Sequence, residues 1–183
     1  MSEKLKLPRF RPKKDVVYKY KYSDIFKSIA NGELDQKKAL STLVLTDLWF
    51  VVYFILDMPN ANHQFIVNAC REVEDGQQDR TLDVWAREHL KTSIITIGET
   101  IQSVLRNPEK TCCIFSYVKP VAERFLYTIR QVFGENEILK ALFPNILYEN
   151  PDESKMWSLD KGIVVKRKTT RKEPTVCCSG LTE

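Results

Sequence analysis

Apolar positions recur at helical spacing through most of the first 75 residues, and a strand-like rhythm enters only after them. Residues 1–22 show no period and carry two prolines, which predicts an extended arm. Ser23 is placed to cap a short helix over 24–30, stopped near Asn31-Gly32. Asp35 then opens a long apolar helix to about Leu56, and Pro59 ends it because proline cannot continue the hydrogen-bond ladder. Phe65, Ile66, Ala69, Cys70 and Val73 predict another helix over 60–73, followed by a polar turn over 74–80.

Residues 81–85 are short and β-prone. Ile94, Ile95, Ile97, Ile101, Val104 and Leu105 form one face of a helix over 92–105, closed by Asn107-Pro108. The apolar run 111–117 fits a strand buried on both faces. Pro120 suits the first turn of a helix reaching Phe133, Gly134 ends it, and 135–142 makes a shorter helix. Residues 144–154 read as loop, and 162–165 and 175–178 as two further strands. The order strand, turn, helix, strand, helix predicts an α/β fold with a parallel sheet flanked by helices, over 76–183, preceded by a small all-helical region over 1–75.

Composition narrows this little. An apolar share of 43% supports a packed core, and the net charge of +4 permits nucleic-acid contact without requiring it. Basic residues gather at 4–21 and 161–172. Cys112-Cys113 and Cys177-Cys178 are adjacent pairs, which lack the spacing of a zinc knuckle; with Cys70 they read as small apolar residues of a reduced protein. The apolar stretch 40–58 approaches a membrane span in length, but Asp47 inside it favours a buried helix.

The segment with chemistry is Trp85-Ala86-Arg87-Glu88-His89-Leu90-Lys91-Thr92-Ser93, at the predicted start of a helix. Helix starts leave backbone N–H groups outside the ladder and carry a positive dipole end, which together bind anions. Lys91 would reach the β- and γ-phosphates, and the Thr92 hydroxyl would serve as a Mg²⁺ ligand. Against the general pattern G-x-x-x-x-G-K-[ST], Trp85 and Leu90 stand at the glycine positions. Arg87 would brace charge on the transferred phosphoryl group, or form a surface salt bridge; His89 reads as a loop-shaping residue.

With Arg87, His89, Leu90, Lys91, Thr92 and Ser93 matching in order, this loop resembles the variant phosphate loop of the large terminase subunits of tailed phages, of the form Arg-x-x-[Gly or Leu]-Lys-[Ser/Thr]-[Ser/Thr]. The resemblance implies a P-loop NTPase-type core binding ATP and Mg²⁺, with Arg87 and Lys91 catalytic. The implied function is a motor that couples ATP hydrolysis to translocation of double-stranded DNA into a capsid in the host cytoplasm. Its implied partners are a portal protein, a small terminase subunit and further copies in a ring. Asn62-His63-Gln64-Phe65 falls where the family packs near adenine, so Gln64 would read the adenine edge, or lie on a surface helix. The segment 161–181 resembles the family's strand, basic turn and strand. Arg167 or Arg171 would act across subunits, or else belong to a solvated charge run or contact DNA phosphate. No apolar strand ending in paired carboxylates follows Lys91, so hydrolysis by the chain alone is expected to be slow. Two other readings stand beside this one: a non-catalytic helical module binding nucleic acid or a protein partner through its basic ends, and a membrane-associated protein using 40–58.

Overall fold

The computed structural model describes Leu5, residues 10–76 and residues 81–182. Contacts divide the chain into two compact units, Met1–Glu99 and Thr100–Glu183. The chain is mixed α/β, with helices throughout and one mixed sheet in the second unit.

In the first unit, α1 (Tyr22–Ala30) begins two residues before the expected start, and its N-cap is Lys21, without a side-chain cap, instead of Ser23. α2 (Gln36–Thr46) is capped as expected, Asp35 accepting from Lys38 N–H at 2.7 Å. The long helix expected over 36–56 is broken. Asp47 is extended (φ −141°, ψ 104°), and the chain turns by 109° before resuming as α3 (Leu48–Phe50), which continues as a π-helical turn over Val51–Ile55. The cause is local: the Asp47 carboxylate caps the new helix by accepting from Phe50 N–H at 3.3 Å, and it also accepts the hydroxyl of buried Tyr22. A buried carboxylate with two donors is satisfied at the bend and would lose both in a straight helix. Burial pushes the Asp47 carboxyl above the ordinary carboxylate range, while the Tyr22 hydroxyl bond acts in the opposite direction. No single helix among the described residues is long and apolar enough to cross a membrane.

Packing follows from this bend. Leu48, Trp49, Phe50, Val51, Val52 and Phe54 are all but inaccessible to solvent. The arm contributes to the same core: the Phe10 ring sits edge-on to Tyr18, Tyr22, Trp49 and Tyr53, with centroids 5.2–6.2 Å apart. Such edge contacts match the positive ring rim to the negative ring face. The arm is therefore pinned at Phe10 rather than loose along its length. α4 (Gln64–Asp75) starts at His63, whose Nδ1 accepts from Phe65 N–H at 3.2 Å. It ends at Asp75, within the expected turn 74–80; residues 77–80 of that turn lie outside the described residues.

Residues 81–86 are irregular, not the expected strand. Leu82 and Val84 are 90% and 82% exposed, and among the described residues no strand pairs with this segment to use their β-propensity. The expected helix over 92–105 forms as a π-helical segment, Thr92–Gly98, continuing as α5 (Glu99–Arg106). Gly98 is required there: a Cβ would lie 3.1 Å from Val52 and 3.2 Å from Leu48, which lets this helix close on α3.

The second unit contains β1 (Cys112–Val118), α6 (Lys119–Glu135), α7 (Glu137–Leu142), β2 (Trp157–Ser158), β3 (Gly162–Ile163) and β4 (Val176–Thr182). Sheet order is β1-β4-β3-β2. β1 and β4 are parallel with Cys113 opposite Cys177, while β2–β3 and β3–β4 are antiparallel, so the sheet is mixed rather than all parallel. The tight β2–β3 turn imposes this, and it needs Gly162 (φ 92°), where a Cβ would stand 2.6 Å from the Val176 carbonyl oxygen. α6 packs on β1 and β4 through buried Ala122, Leu126, Ile129 and Phe133. β1 is covered on one face only. Ile114 is buried, whereas Phe115 and Tyr117 are 64% and 72% exposed, against the expectation of a strand buried on both sides.

Candidate functional site

The loop 85–93 belongs to the helical first unit and lines a cavity of about 400 Å³. That volume is within the range of small-ligand sites. The loop is shaped by two residues in the left-handed region, Glu88 (φ 66°) and Leu90 (φ 56°). For residues with a Cβ this conformation costs about 1–2 kcal/mol each. Leu90 stands where the general phosphate-loop pattern has glycine, the residue that enters this region without strain. The backbone thus takes the glycine conformation without the glycine. Strained positions of this kind persist where the surrounding structure over-determines them, and they cluster at functional sites.

What over-determines the loop is visible. The His89 Nδ1–H donates to the Arg87 carbonyl at 2.7 Å, closing the turn, and the His89 ring sits edge-on to Phe65 with centroids 5.1 Å apart. Trp85 packs against the same Phe65 ring at 6.3 Å. Phe65 is 47% exposed, so α4 offers an apolar post on which the loop rests. The sequence identified Phe65 only as one apolar position of a helix; its role against the loop depends on a contact across more than twenty residues and leaves no local signal.

The loop leads directly into the helix. Ile94 N–H to Leu90 C=O, at 2.9 Å, belongs to the first turn, so the N–H groups of Lys91, Thr92 and Ser93 lie outside the ladder. Lys91 and Thr92 are exposed, as are Ala86, Arg87, Glu88 and His89, while Trp85, Leu90 and Ser93 are half-buried. The Lys91 ammonium is folded back onto the Asp83 carbonyl at 2.5 Å. A phosphate oxygen is a stronger acceptor for an ammonium than a neutral carbonyl, so exchange of one for the other is favourable. The residues present therefore fit a phosphate: three helix-start N–H groups, one ammonium, the Thr92 hydroxyl and the exposed Arg87 guanidinium.

Gln64 is the first residue of α4, next to Phe65. Its Oε1 accepts Val17 N–H at 2.6 Å and its Nε2 donates to Asn68 at 2.6 Å, so both ends of the amide hold the arm and the helix. Arg167 and Arg171 lie in the second unit, in the segment between β3 and β4. Comparison of the chain with protein families, curated proteins and solved structures finds no match.

Proposed function

We propose that this chain binds ATP with Mg²⁺ through residues 85–93 and is the ATP-binding portion of a viral DNA-packaging motor, a large terminase subunit acting with a portal protein on double-stranded DNA. The observation that carries the reading is Leu90: a bulky residue at φ 56°, in the glycine position directly before Lys91 and a helix start. Lys91 would grip the β- and γ-phosphates, Thr92 would hold Mg²⁺, and Arg87 would lie against the γ-phosphate. Bound Mg²⁺ would neutralise phosphate charge; the chain's own part is to position the phosphates and exclude alternatives. A P-loop NTPase-type core is the fold this reading entails. The parallel β1–β4 pair with α6 packed on both supports it, although α7, β2 and β3 intervene between the two strands and the loop 85–93 follows the irregular segment 81–86 rather than a strand.

The test is titration of the protein and of Lys91→Ala with a fluorescent ATP analogue in the presence of Mg²⁺. Tight binding by the wild type with strong weakening in the variant supports the assignment, and equal affinities overturn it.

A further inference from the structure

The second unit carries a cavity of about 240 Å³ against the segment that joins β3 to β4. Lys155, Arg167, Arg171 and Lys172 line it together with Tyr148, Thr169 and Thr170, and no lining residue is acidic. The four cations form no salt bridge among the described residues, although the nearby Glu109 carboxylate offsets part of the Arg171 charge.

The wall of this cavity is fixed. Lys166 N–H donates to Ile146 C=O at 2.8 Å, and its ammonium donates to Pro144 C=O at 2.9 Å while sitting 5.3 Å from the Tyr148 ring centroid. Arg167 Nη2 donates to the carbonyls of Arg171 at 3.0 Å and Glu173 at 2.9 Å, which ties the two ends of the turn together. Glu109, presented by the Asn107-Pro108 turn, accepts Lys168 N–H at 2.6 Å, Thr169 N–H at 3.3 Å and the Thr169 hydroxyl. These donors hold its carboxyl below the usual carboxylate range. The turn is therefore already ordered around one oxyanion of its own.

Arg167 Nη1 is the unexplained group. It is buried and has no acceptor among the described residues, although Nη2 of the same guanidinium has two. A buried charged donor without an acceptor is unfavourable, and a shift of the guanidinium toward the cavity that Arg167 lines would let an anion there satisfy it. The volume is below the roughly 300 Å³ at which ordinary ligand pockets begin, so it suits one tetrahedral oxyanion better than a whole nucleotide.

We propose that this cavity binds a phosphate group, with Arg167, Arg171 and Lys172 as its cationic partners and Thr170 as a hydroxyl donor. The phosphate comes either from a free phosphate or phosphomonoester or from a phosphodiester of a nucleic-acid backbone. The inference does not depend on the loop 85–93, and its test separates the two.

The full chain carrying Lys91→Ala, in which the loop contributes least, is titrated with inorganic phosphate by calorimetry and with a short DNA duplex by fluorescence anisotropy. In that background Arg167→Gln is expected to weaken phosphate binding by about tenfold or more, the effect of losing a charge-assisted contact. Arg171→Ala with Lys172→Ala, at exposed positions, is expected to do the same without altering the circular dichroism spectrum, which keeps the test decisive if Arg167→Gln misfolds. Phosphate binding with competition by duplex identifies the backbone phosphodiester as the source; phosphate binding without competition identifies the free phosphate or monoester. No phosphate binding, or binding unchanged in the exposed double variant, overturns the proposal.

Discussion

Two basic turns in this chain solve the same physical problem in opposite ways. The loop 85–93 gathers its donors by straining the backbone: Glu88 and Leu90 lie at positive φ, and Lys91 is parked on a neutral carbonyl of its own chain. The segment 166–172 gathers its donors without such strain, because Glu109 supplies an internal anion that two consecutive N–H groups and a hydroxyl can share. The first arrangement leaves the cationic group exchangeable, and the second fixes the turn in place. A site that must take up and release a ligand is better served by the first. A site that must present a constant positive wall is better served by the second.

The sharpest break between the two would come from Lys91→Ala. A hydrogen bond to a charged partner contributes about 1.5–3 kcal/mol, so nucleotide affinity should fall by roughly ten- to a hundredfold or more. Inorganic phosphate bound in the second unit should be unaffected, because none of the cavity residues there is changed. Parallel titrations with an ATP analogue and with phosphate check both halves. A variant that lost both ligands together would show that the turns are not separate sites.

Backbone strain at Leu90 should show next, in stability rather than binding. Leu90→Gly relieves about 1–2 kcal/mol of left-handed strain and adds roughly 0.5–1 kcal/mol of chain entropy to the unfolded state. The net expectation is a gain of up to about 1.5 kcal/mol in denaturant unfolding, combining those two ranges. Leu90→Ala retains the Cβ and with it the strain, so it should show no such gain. Equal stabilisation by Ala and Gly would mean that the leucine side chain, not its backbone, is what the loop tolerates poorly.

How much of this was legible in the sequence depends on the range of the interactions involved. The Asp35 cap, the Asn107-Pro108 turn and the apolar stripe of Ile94, Ile97 and Ile101 follow local rules, and each is present. The break at Asp47 was not legible. Residues 36–56 have uniform helical periodicity, and the donor from Tyr22, twenty-five positions earlier, joins the local Phe50 N–H in satisfying a buried carboxylate there. The strand expected at 81–85 failed for the complementary reason: its residues have the right propensity, but among the described residues no strand pairs with them. At the candidate site the sequence identified Lys91, Thr92 and Arg87 by their order. The positive φ at Leu90 could be framed only as a missing glycine, and Phe65 and Glu109 act through contacts that no motif records.

The smallest effect, and the one that isolates the clamp from everything else, belongs to Glu109. Its carboxyl is held below the usual range chiefly by the Thr169 hydroxyl, with the Lys168 N–H next. A carboxyl whose pKa is lower folded than unfolded contributes stability that is fully present above the unfolded value, about 4.3 for glutamate, and is lost as pH falls through the lower folded value. Glu109→Gln keeps an acceptor oxygen but no charge, so it should lower the melting temperature slightly at neutral pH. The wild type and the variant should converge in acid, as the wild-type carboxyl protonates and comes to resemble the amide. Glu109 is partly exposed, so added salt should shrink the neutral-pH difference as well. A difference that persisted undiminished below the folded pKa would mean that Glu109 shapes the turn by packing. The contrast with the strained loop would then rest on geometry alone, because an internal anion would no longer be what keeps the second turn free of strain.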